Sequence, residues 1–274
     1  MLGITSHLPH LLAFAIVGTA HELSSSTQYN VLDYSSDAFR IFTRIAASDP
    51  SMWRDVFLCN RQAIFETLGT FIEDLSILTR AMRDGDRQTL LDQFRRIREI
   101  RNGIVDLGQD TAVSDFEIPP ALPGHLTLQV ANLSQAARDH LPRLIAYAIV
   151  NTANDLNTIL YGKSRDNVDS REVLLFSAGG FRDFTRIAAS SPDPWPNIFL
   201  TNQTAVLEVL GRFREYLTLL TRPIRSGDGE TLFSLLSQLR SIRRNIPNLP
   251  GEKRASKRKR GKKRPSYGTL YSNY

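Results

Sequence analysis

The feature that most constrains the fold is an internal repeat. Residues 39–60 read FRIFTRIAASDPSMWRDVFLCN and residues 181–202 read FRDFTRIAASSPDPWPNIFLTN, and the two blocks are identical at 14 of 22 positions without a gap. A second block, SHLPHLLAFAIVGTAHEL at residues 6–23, matches DHLPRLIAYAIVNTANDL at residues 139–156. Similarity over so long a period indicates a structural unit that is present twice.

The matched blocks divide the chain into four predicted parts. The first repeat covers residues 1–103 and the second repeat covers residues 125–246. Residues 104–124 contain three prolines and form a predicted linker, and residues 247–274 form a predicted disordered, basic tail. Within each repeat the two blocks are separated by a polar stretch, and its length differs by nine residues between the repeats, as expected of a surface loop.

Both repeats show helical periodicity, which predicts an all-α fold. In each repeat we expect one long helix, a loop, a short helix that carries FTRIA, a turn at Pro50 or Pro192, and two further helices. Gly85-Asp86 and its counterpart Gly227-Asp228 predict a helix stop followed by an N-cap. Because amphipathic helices need partners, we expect the two repeats to pack on each other as an intramolecular pseudo-dimer.

The net charge of +6 is concentrated at one end of the chain. Residues 252–264 hold nine Lys and Arg against one acid, so the remainder carries about −2. The tail is therefore a candidate for electrostatic binding to nucleic acid or to an anionic surface. The alternative is a solvated extension without such a role.

The sequence favours a cytoplasmic protein without a membrane span. The N-terminus lacks the positive charge of a signal peptide, and the apolar run from Leu11 to Val17 is too short to cross a bilayer. Cys59 is the single cysteine, which favours a reducing compartment. We expect Cys59 to be a buried structural thiol rather than a nucleophile, because it has no His or basic neighbour to activate it.

Two pairs of arginines could carry binding chemistry. Arg40 and Arg44 are four residues apart, as are Arg182 and Arg186, so each pair is expected to share a helix face. Such pairs suit a ligand with carboxylates, since each guanidinium can bind one carboxylate bidentately. Spacing alone favours the alternative, a salt bridge within the helix or between the repeats, with Asp183 as one partner. His7 and His10 lack a third candidate ligand nearby, so we expect no metal site.

The order of these motifs resembles the C-terminal helical domain of the prephenate and arogenate dehydrogenase family. The resemblance rests on HLPH at residues 7–10 and on AGGFRDFTRIA at residues 178–188. The first motif has its counterpart at residues 140–143, and the second has its counterpart at residues 36–46. It covers nearly everything except the linker and the tail. It implies a dimerisation domain that lends residues to the substrate pocket of an NAD(P)-dependent enzyme of tyrosine biosynthesis, which oxidatively decarboxylates prephenate or arogenate.

The resemblance also implies which residues contact the substrate. The arginine of the FTRIA segment would bind a substrate carboxylate, and this arginine is Arg44 or Arg186 here. The full set implied as substrate-binding is His10, Arg40, Arg44, Trp53, Gly180, Arg182, Arg186 and Trp195. No catalytic residue is expected in this set.

The chain departs from the family pattern in ways that bear on activity. It contains no glycine-rich dinucleotide loop, so we expect it to bind no NAD or NADP alone. Two versions follow: a remnant without catalysis, or a subunit that a nucleotide-binding domain supplied in trans completes. The first repeat has Asp37-Ala38 in place of the glycine pair, and the second repeat has Arg143 in place of the second histidine. We therefore expect a substrate-side portion that is not catalytic alone; the alternative is a non-catalytic scaffold or binding protein derived from that domain.

Overall fold

A computed structural model describes residues 2–26, 37–105, 133–161 and 179–246. Within these ranges every regular element is a helix, which confirms the predicted all-α class. The predicted linker lies outside the described residues from residue 106 onward, and the basic tail at residues 247–274 lies outside them entirely.

Five α-helices make up the described part of the first repeat. A π-helical turn at Gly3–His7 leads directly into the first of them. The helices are α1 (Leu8–Ser26), α2 (Asp37–Thr43), α3 (Pro50–Cys59), α4 (Arg61–Arg83) and α5 (Arg87–Val105). A 3-10 turn, Arg44–Ala47, continues from the end of α2.

The second repeat has the same elements in the same order. A π-helical turn at Ala136–His140 leads into its first helix, and a 3-10 turn at Arg186–Ala189 follows its second. The helices are α6 (Leu141–Tyr161), α7 (Gly179–Thr185), α8 (Trp195–Thr201), α9 (Gln203–Ser226) and α10 (Gly229–Asn245). Each corresponds to the helix five places earlier in the chain.

The predicted helix stops are confirmed in both repeats. Gly85 and Gly227 have φ angles of 69° and 78°, in the left-handed region that favours glycine. Asp86 and Asp228 then cap the next helix, because each carboxylate accepts a hydrogen bond at 3.0 Å from the backbone N–H three residues later.

The prediction of two helices after the proline turn is wrong, since three are present. Pro50 is itself the first residue of α3, which Asp49 caps by accepting the Ser51 N–H at 2.8 Å. A single residue, Asn60, then separates α3 from α4, and its Nδ2 donates to the Val56 carbonyl at 2.8 Å. Asn202 interrupts the second repeat in the same way. A one-residue interruption without glycine or proline leaves little trace in the hydrophobic periodicity.

The centre of the core is formed by α1 and α6. Every residue from Leu11 to Ala20 and from Leu141 to Val150 is buried. Helices that are enclosed on all sides can be apolar around their whole circumference. In the described part of the chain one helix, residues 3–26, has the length and composition to cross a membrane, but 89% of its apolar window is buried inside the protein. This helix extends well beyond the seven-residue apolar run noted in the sequence, and its apolar character is accounted for by the core.

Helices of one repeat pack reciprocally on helices of the other. Helix α1 packs on α9, and its counterpart α6 packs on α4, which is the counterpart of α9. In the same way α3 packs on α10, and its counterpart α8 packs on α5. Phe42 of α2 meets its counterpart Phe184 of α7, with ring centroids 3.4 Å apart. The two FTRIA segments are therefore brought together at the middle of the fold.

Candidate functional site

His10 and Trp53 form a stacked pair in the first repeat. Their ring centroids are 3.5 Å apart and their planes differ by 21°. His7, one turn earlier in the chain, meets the same indole edge-on at 6.3 Å. Two of the residues predicted to bind substrate, one from α1 and one from α3, are thus in direct contact.

The hydrogen bonding of His10 defines its tautomer. Its Nδ1 lies 2.8 Å from the backbone oxygen of Ser6, which can only accept, so Nδ1 carries the proton and donates it. Burial lowers the pKa of His10 to about 4. At neutral pH the ring is therefore uncharged, and its Nε2 lone pair can accept a hydrogen bond from a ligand hydroxyl.

The indole beneath His10 has an unused donor. Trp53 is 5% exposed, and its Nε1 has no hydrogen-bond partner among the described residues. Nδ1 of His7, which is a donor or an acceptor according to the tautomer, also has no hydrogen-bond partner among the described residues. A buried donor without an acceptor is costly, so this corner of the site favours a ligand or solvent acceptor.

The arginine pairs are not arranged as predicted. Helix α2 ends at Thr43, and Arg44 begins a 3-10 turn, so Arg40 and Arg44 do not lie on one continuous α-helix. Thr43 assists this change, because its hydroxyl donates to the Phe39 carbonyl at 2.7 Å in the last turn. Arg40 is half-buried and Arg44 is exposed.

The second repeat completes the first site. Arg243 of α10 donates from a terminal guanidinium nitrogen to the Arg40 carbonyl at 3.0 Å. Arg240, one turn earlier, donates from Nε to the Ala47 carbonyl at 3.3 Å. The first site is therefore built by α1, the α2 segment with its 3-10 turn, and α3 of one repeat, together with α10 of the other.

The second site has the reciprocal frame. Arg101 of α5 donates to the Arg182 carbonyl at 3.2 Å, and Arg98 donates to the Ala189 carbonyl at 3.2 Å. Trp195 is half-buried and meets His140 edge-on at 6.4 Å. As in the first repeat, the α-helix ends one residue before the arginine of the FTRIA segment.

The two sites differ where Arg143 replaces the stacked histidine. The Arg143 guanidinium carbon lies 3.6 Å from the centroid of the Trp195 ring. One terminal nitrogen donates to the Ile187 carbonyl at 2.7 Å and also to the Ser190 hydroxyl. Arg143 is 4% exposed, and its burial lowers its pKa.

Two further residues from the predicted set lie in the second site. Gly180 is the second residue of α7. Arg186 is half-buried at the start of the 3-10 turn, and the part of the chain that the structure describes shows no ion pair for it. The Asp183 side chain, considered above as a salt-bridge partner, lies outside the described residues.

Arg101 and Arg243 were not singled out from the sequence as site residues. Both are 2% exposed, whereas arginine is normally exposed. A sequence signal exists, because Arg243 continues the buried stripe of α10 at the spacing of its apolar residues Leu232, Leu236 and Leu239.

Two expectations concern metal and cysteine chemistry. Among the described residues no group of three or more His, Cys, Asp or Glu is placed to hold a metal ion. Cys59 is exposed at the end of α3, so the prediction of a buried thiol is wrong. The helix ends there, and the chain turns at Asn60 before the core is reached again.

Sequence comparison places the chain in a known family. The profile of the family described as "Prephenate dehydrogenase, dimerization domain" matches residues 1–96 and 134–238. The chain belongs to this prephenate dehydrogenase dimerization-domain family. No solved structure matches it significantly.

Curated relatives agree with the family. A cyclohexadienyl dehydrogenase from Zymomonas mobilis is 36% identical over 101 residues, which are 37% of this chain and 34% of the relative. A prephenate dehydrogenase from Bacillus subtilis is 28% identical over 161 residues, 58% of this chain and 42% of the relative. One from Lactococcus lactis is 28% identical over 102 residues, 37% and 28% of the respective chains. The chain thus spans less than half the length of each relative.

Proposed function

We propose that this chain is the dimerisation and substrate-side portion of a tyrosine-pathway dehydrogenase acting on prephenate or arogenate, and that it is not catalytic alone. The observation that carries the proposal is the stack of His10 on Trp53, together with the hydrogen bond from Arg243 of the other repeat to the Arg40 carbonyl of α2. Family membership supports the pathway assignment.

The proposed roles follow from the chemistry of each side chain. The guanidinium groups of Arg40 and Arg44 bind substrate carboxylates, as do those of Arg182 and Arg186 where the second site is used. Neutral His10 accepts a hydrogen bond from a substrate hydroxyl. Trp53 and Trp195 form apolar walls for a ring, and Gly180 allows the backbone to approach the ligand closely.

The repeats are proposed to have arisen by tandem duplication and to pair as an intramolecular pseudo-dimer. The reciprocal bonds of Arg101 to the Arg182 carbonyl and of Arg243 to the Arg40 carbonyl support this arrangement. Each site then draws on both repeats, as in a symmetric dimer. The domain boundaries at residues 103, 124 and 246 are part of the same proposal.

Hydride transfer by this family depends on NAD or NADP, and the described residues do not fit that cofactor. A dinucleotide is held where a strand passes through a glycine-rich loop into a helix, and the described residues form helices only. When bound by a nucleotide-binding chain, the nicotinamide would supply the hydride acceptor. We propose that such a chain acts in trans, in the cytoplasm.

The proposal is tested by assay and by calorimetry on the full chain. With NAD or NADP and prephenate or arogenate we expect no turnover by the chain alone, and appreciable turnover would contradict the non-catalytic assignment. Titration with prephenate, arogenate and tyrosine should show weak binding to at least the first of these. Arg44→Ala and Arg186→Ala test the two carboxylate-binding positions, and Arg83→Ala, on an exposed residue at the end of α4, is the control.

A second candidate function is a non-catalytic scaffold with an anion-binding tail. It is favoured by the nine basic residues between residues 252 and 264 and by the loss of a histidine at Arg143. This function predicts no binding of prephenate, arogenate or tyrosine. It also predicts salt-dependent retention on an anionic resin that a chain shortened to residue 246 loses.

A further inference from the structure

The two sites share one frame but differ in what covers the indole. His10 covers Trp53 with a centroid separation of 3.5 Å, and the guanidinium of Arg143 covers Trp195 at 3.6 Å. Both residues occupy the fourth position of the repeated HLPx motif. A single substitution therefore distinguishes the two sites at their centre.

The buried Nε of Arg143 has no hydrogen-bond partner among the described residues, but one terminal guanidinium nitrogen is used within the protein. It bonds to the Ile187 carbonyl and the Ser190 hydroxyl, and so ties α6 to the 3-10 turn that begins at Arg186. In the first repeat the corresponding acceptors, Ile45 and Ser48, are also present. There the imidazole of residue 10 instead donates to Ser6, within its own helical segment. Among the described residues, a side-chain hydrogen bond from this position to the FTRIA segment is present in the second repeat and not in the first.

Displacing the Arg143 guanidinium would be costly. Its side chain is 4% exposed, and it makes hydrogen bonds and a cation–π contact together. A buried charge that loses its partners pays its full desolvation penalty. A ligand that entered over Trp195 would need to remove this group first, whereas His10 presents a neutral ring with an open acceptor nitrogen.

We infer that Arg143 occupies the second site as an internal ligand, so that each chain binds one carboxylate-bearing ligand, at the site of His10 and Trp53. The guanidinium covers the indole of Trp195 and bonds to the 3-10 turn that begins at Arg186. In the described part of the first site, His10 does not bond to the corresponding turn. The inference rests on the proposed substrate-side function. It makes the two repeats unequal partners: the first binds ligand, and the second is held in a closed form.

Calorimetry with prephenate as the probe tests the stoichiometry on the full chain. We expect one ligand per chain for the wild type and two for Arg143→His, which installs the first repeat's residue in the second. His10→Arg should close the first site and reduce binding to none, because Ile45 and Ser48 can accept from the new guanidinium. Two ligands per wild-type chain would overturn the inference. One ligand per chain in Arg143→His, unchanged from the wild type, would overturn it as well, because the second site would then stay closed without Arg143.

A ligand-free measurement separates this inference from the proposed function. The chain has two tryptophans, one in each site. In the Trp53→Phe protein, acrylamide quenching of Trp195 should rise when Arg143 is replaced by Ala, and unchanged quenching would contradict the closure. If no variant binds prephenate while the quenching rises, the proposed function fails and the covering of Trp195 by Arg143 stands.

Discussion

Tyr216 of α9 lies directly against Gly18 of α1, so closely that a β-carbon added at Gly18 would fall 2.0 Å from Cε1 of the tyrosine. The corresponding contact between α4 and α6 is polar. There Asp74 accepts hydrogen bonds at 2.6 Å from Nδ2 of Asn151 and from the Thr152 hydroxyl. Asn151 is the counterpart of Gly18, and Asp74 is the counterpart of Tyr216. One inter-repeat contact thus pairs a glycine with a tyrosine, and the other pairs an asparagine with an aspartate. A single residue moved from one contact into the other would not fit its new partner.

This complementarity predicts a rescue by a double substitution. Gly18→Asn alone should destabilise the fold by a clash with Tyr216, and Tyr216→Asp alone should bury a carboxylate without an amide partner. Together the two substitutions would recreate, between α1 and α9, the contact that Asp74 makes between α4 and α6. Thr19 already corresponds to Thr152 there. Urea unfolding in a double-mutant cycle should give a favourable coupling of about 1 kcal/mol or more.

The control for this cycle is Gly69→Asn, because Gly69 is also in a helix but nothing lies within 4 Å of its added β-carbon. Its cost should reflect helix propensity alone. Simple additivity of Gly18→Asn and Tyr216→Asp would contradict the predicted rescue.

The Asp74 carboxyl makes the stability of this interface depend on pH. Burial raises its pKa from 3.8 to about 6, against the opposing effect of its two hydrogen bonds. The protonated form is therefore favoured in the fold, and the associated stability is present below pH 3.8 and is lost as the pH rises through about 6. Asp74→Asn cannot ionise, so its stability relative to the wild type should increase by about 2 kcal/mol between pH 4 and pH 7.5. Urea unfolding at the two pH values measures the difference; a difference that does not change with pH would refute the assignment.

The stack on Trp53 gives His10 a spectroscopic signature. Its pKa is lowered to about 4, so the neutral ring stabilises the fold fully above pH 6.5, and this contribution is lost as the pH falls through about 4. Protonation also makes the stacked ring a stronger electron acceptor, which quenches the indole. In Trp195→Phe the emission should therefore drop with a midpoint near pH 4. Adding His10→Gln should remove most of the drop, and its persistence would show that another group is responsible.

The buried arginines should be essential to the pairing of the repeats. Arg101→Met and Arg243→Met each remove a donor to a carbonyl of a short helix in the opposite repeat, α7 or α2, and we expect each to lower the free energy of unfolding by about 2 kcal/mol. Arg244→Met, on the exposed neighbour in α10, should change it by less than about 0.5 kcal/mol. Equal effects of Arg243→Met and Arg244→Met in urea unfolding would exclude a special role for the buried contacts.

Features governed by local chemistry were predictable from the sequence. The stops at Gly85 and Gly227 follow from the left-handed preference of glycine, and the caps at Asp86 and Asp228 follow from side-chain acceptors at helix starts. Periodicity also predicted the all-α class. Each of these depends on residues within one or two helical turns.

Features governed by distant partners were not predictable. The substitution at Arg143 was visible in the sequence, but its position over Trp195, 52 residues later, depends on how α6 and α8 cross. The spacing within α10 indicated the burial of Arg243, but its acceptor, the Arg40 carbonyl, lies in the other repeat and could not be identified from that spacing. Long side chains can reach many alternative partners, and only the packed fold selects one of them.

The pairing of the repeats within one chain is tested most directly by a cross-link. Arg87 of α5 donates from Nε to Oδ1 of Asn197 in α8 at 2.9 Å, and both residues are exposed. In a Cys59→Ser background, which removes the exposed native thiol, Arg87→Cys and Asn197→Cys together should react with a short bismaleimide. Each substitution alone serves as the control. The intramolecular pseudo-dimer predicts a link within one chain of 30.9 kDa, found by mass spectrometry; a covalent dimer, or no link between these positions, would contradict it.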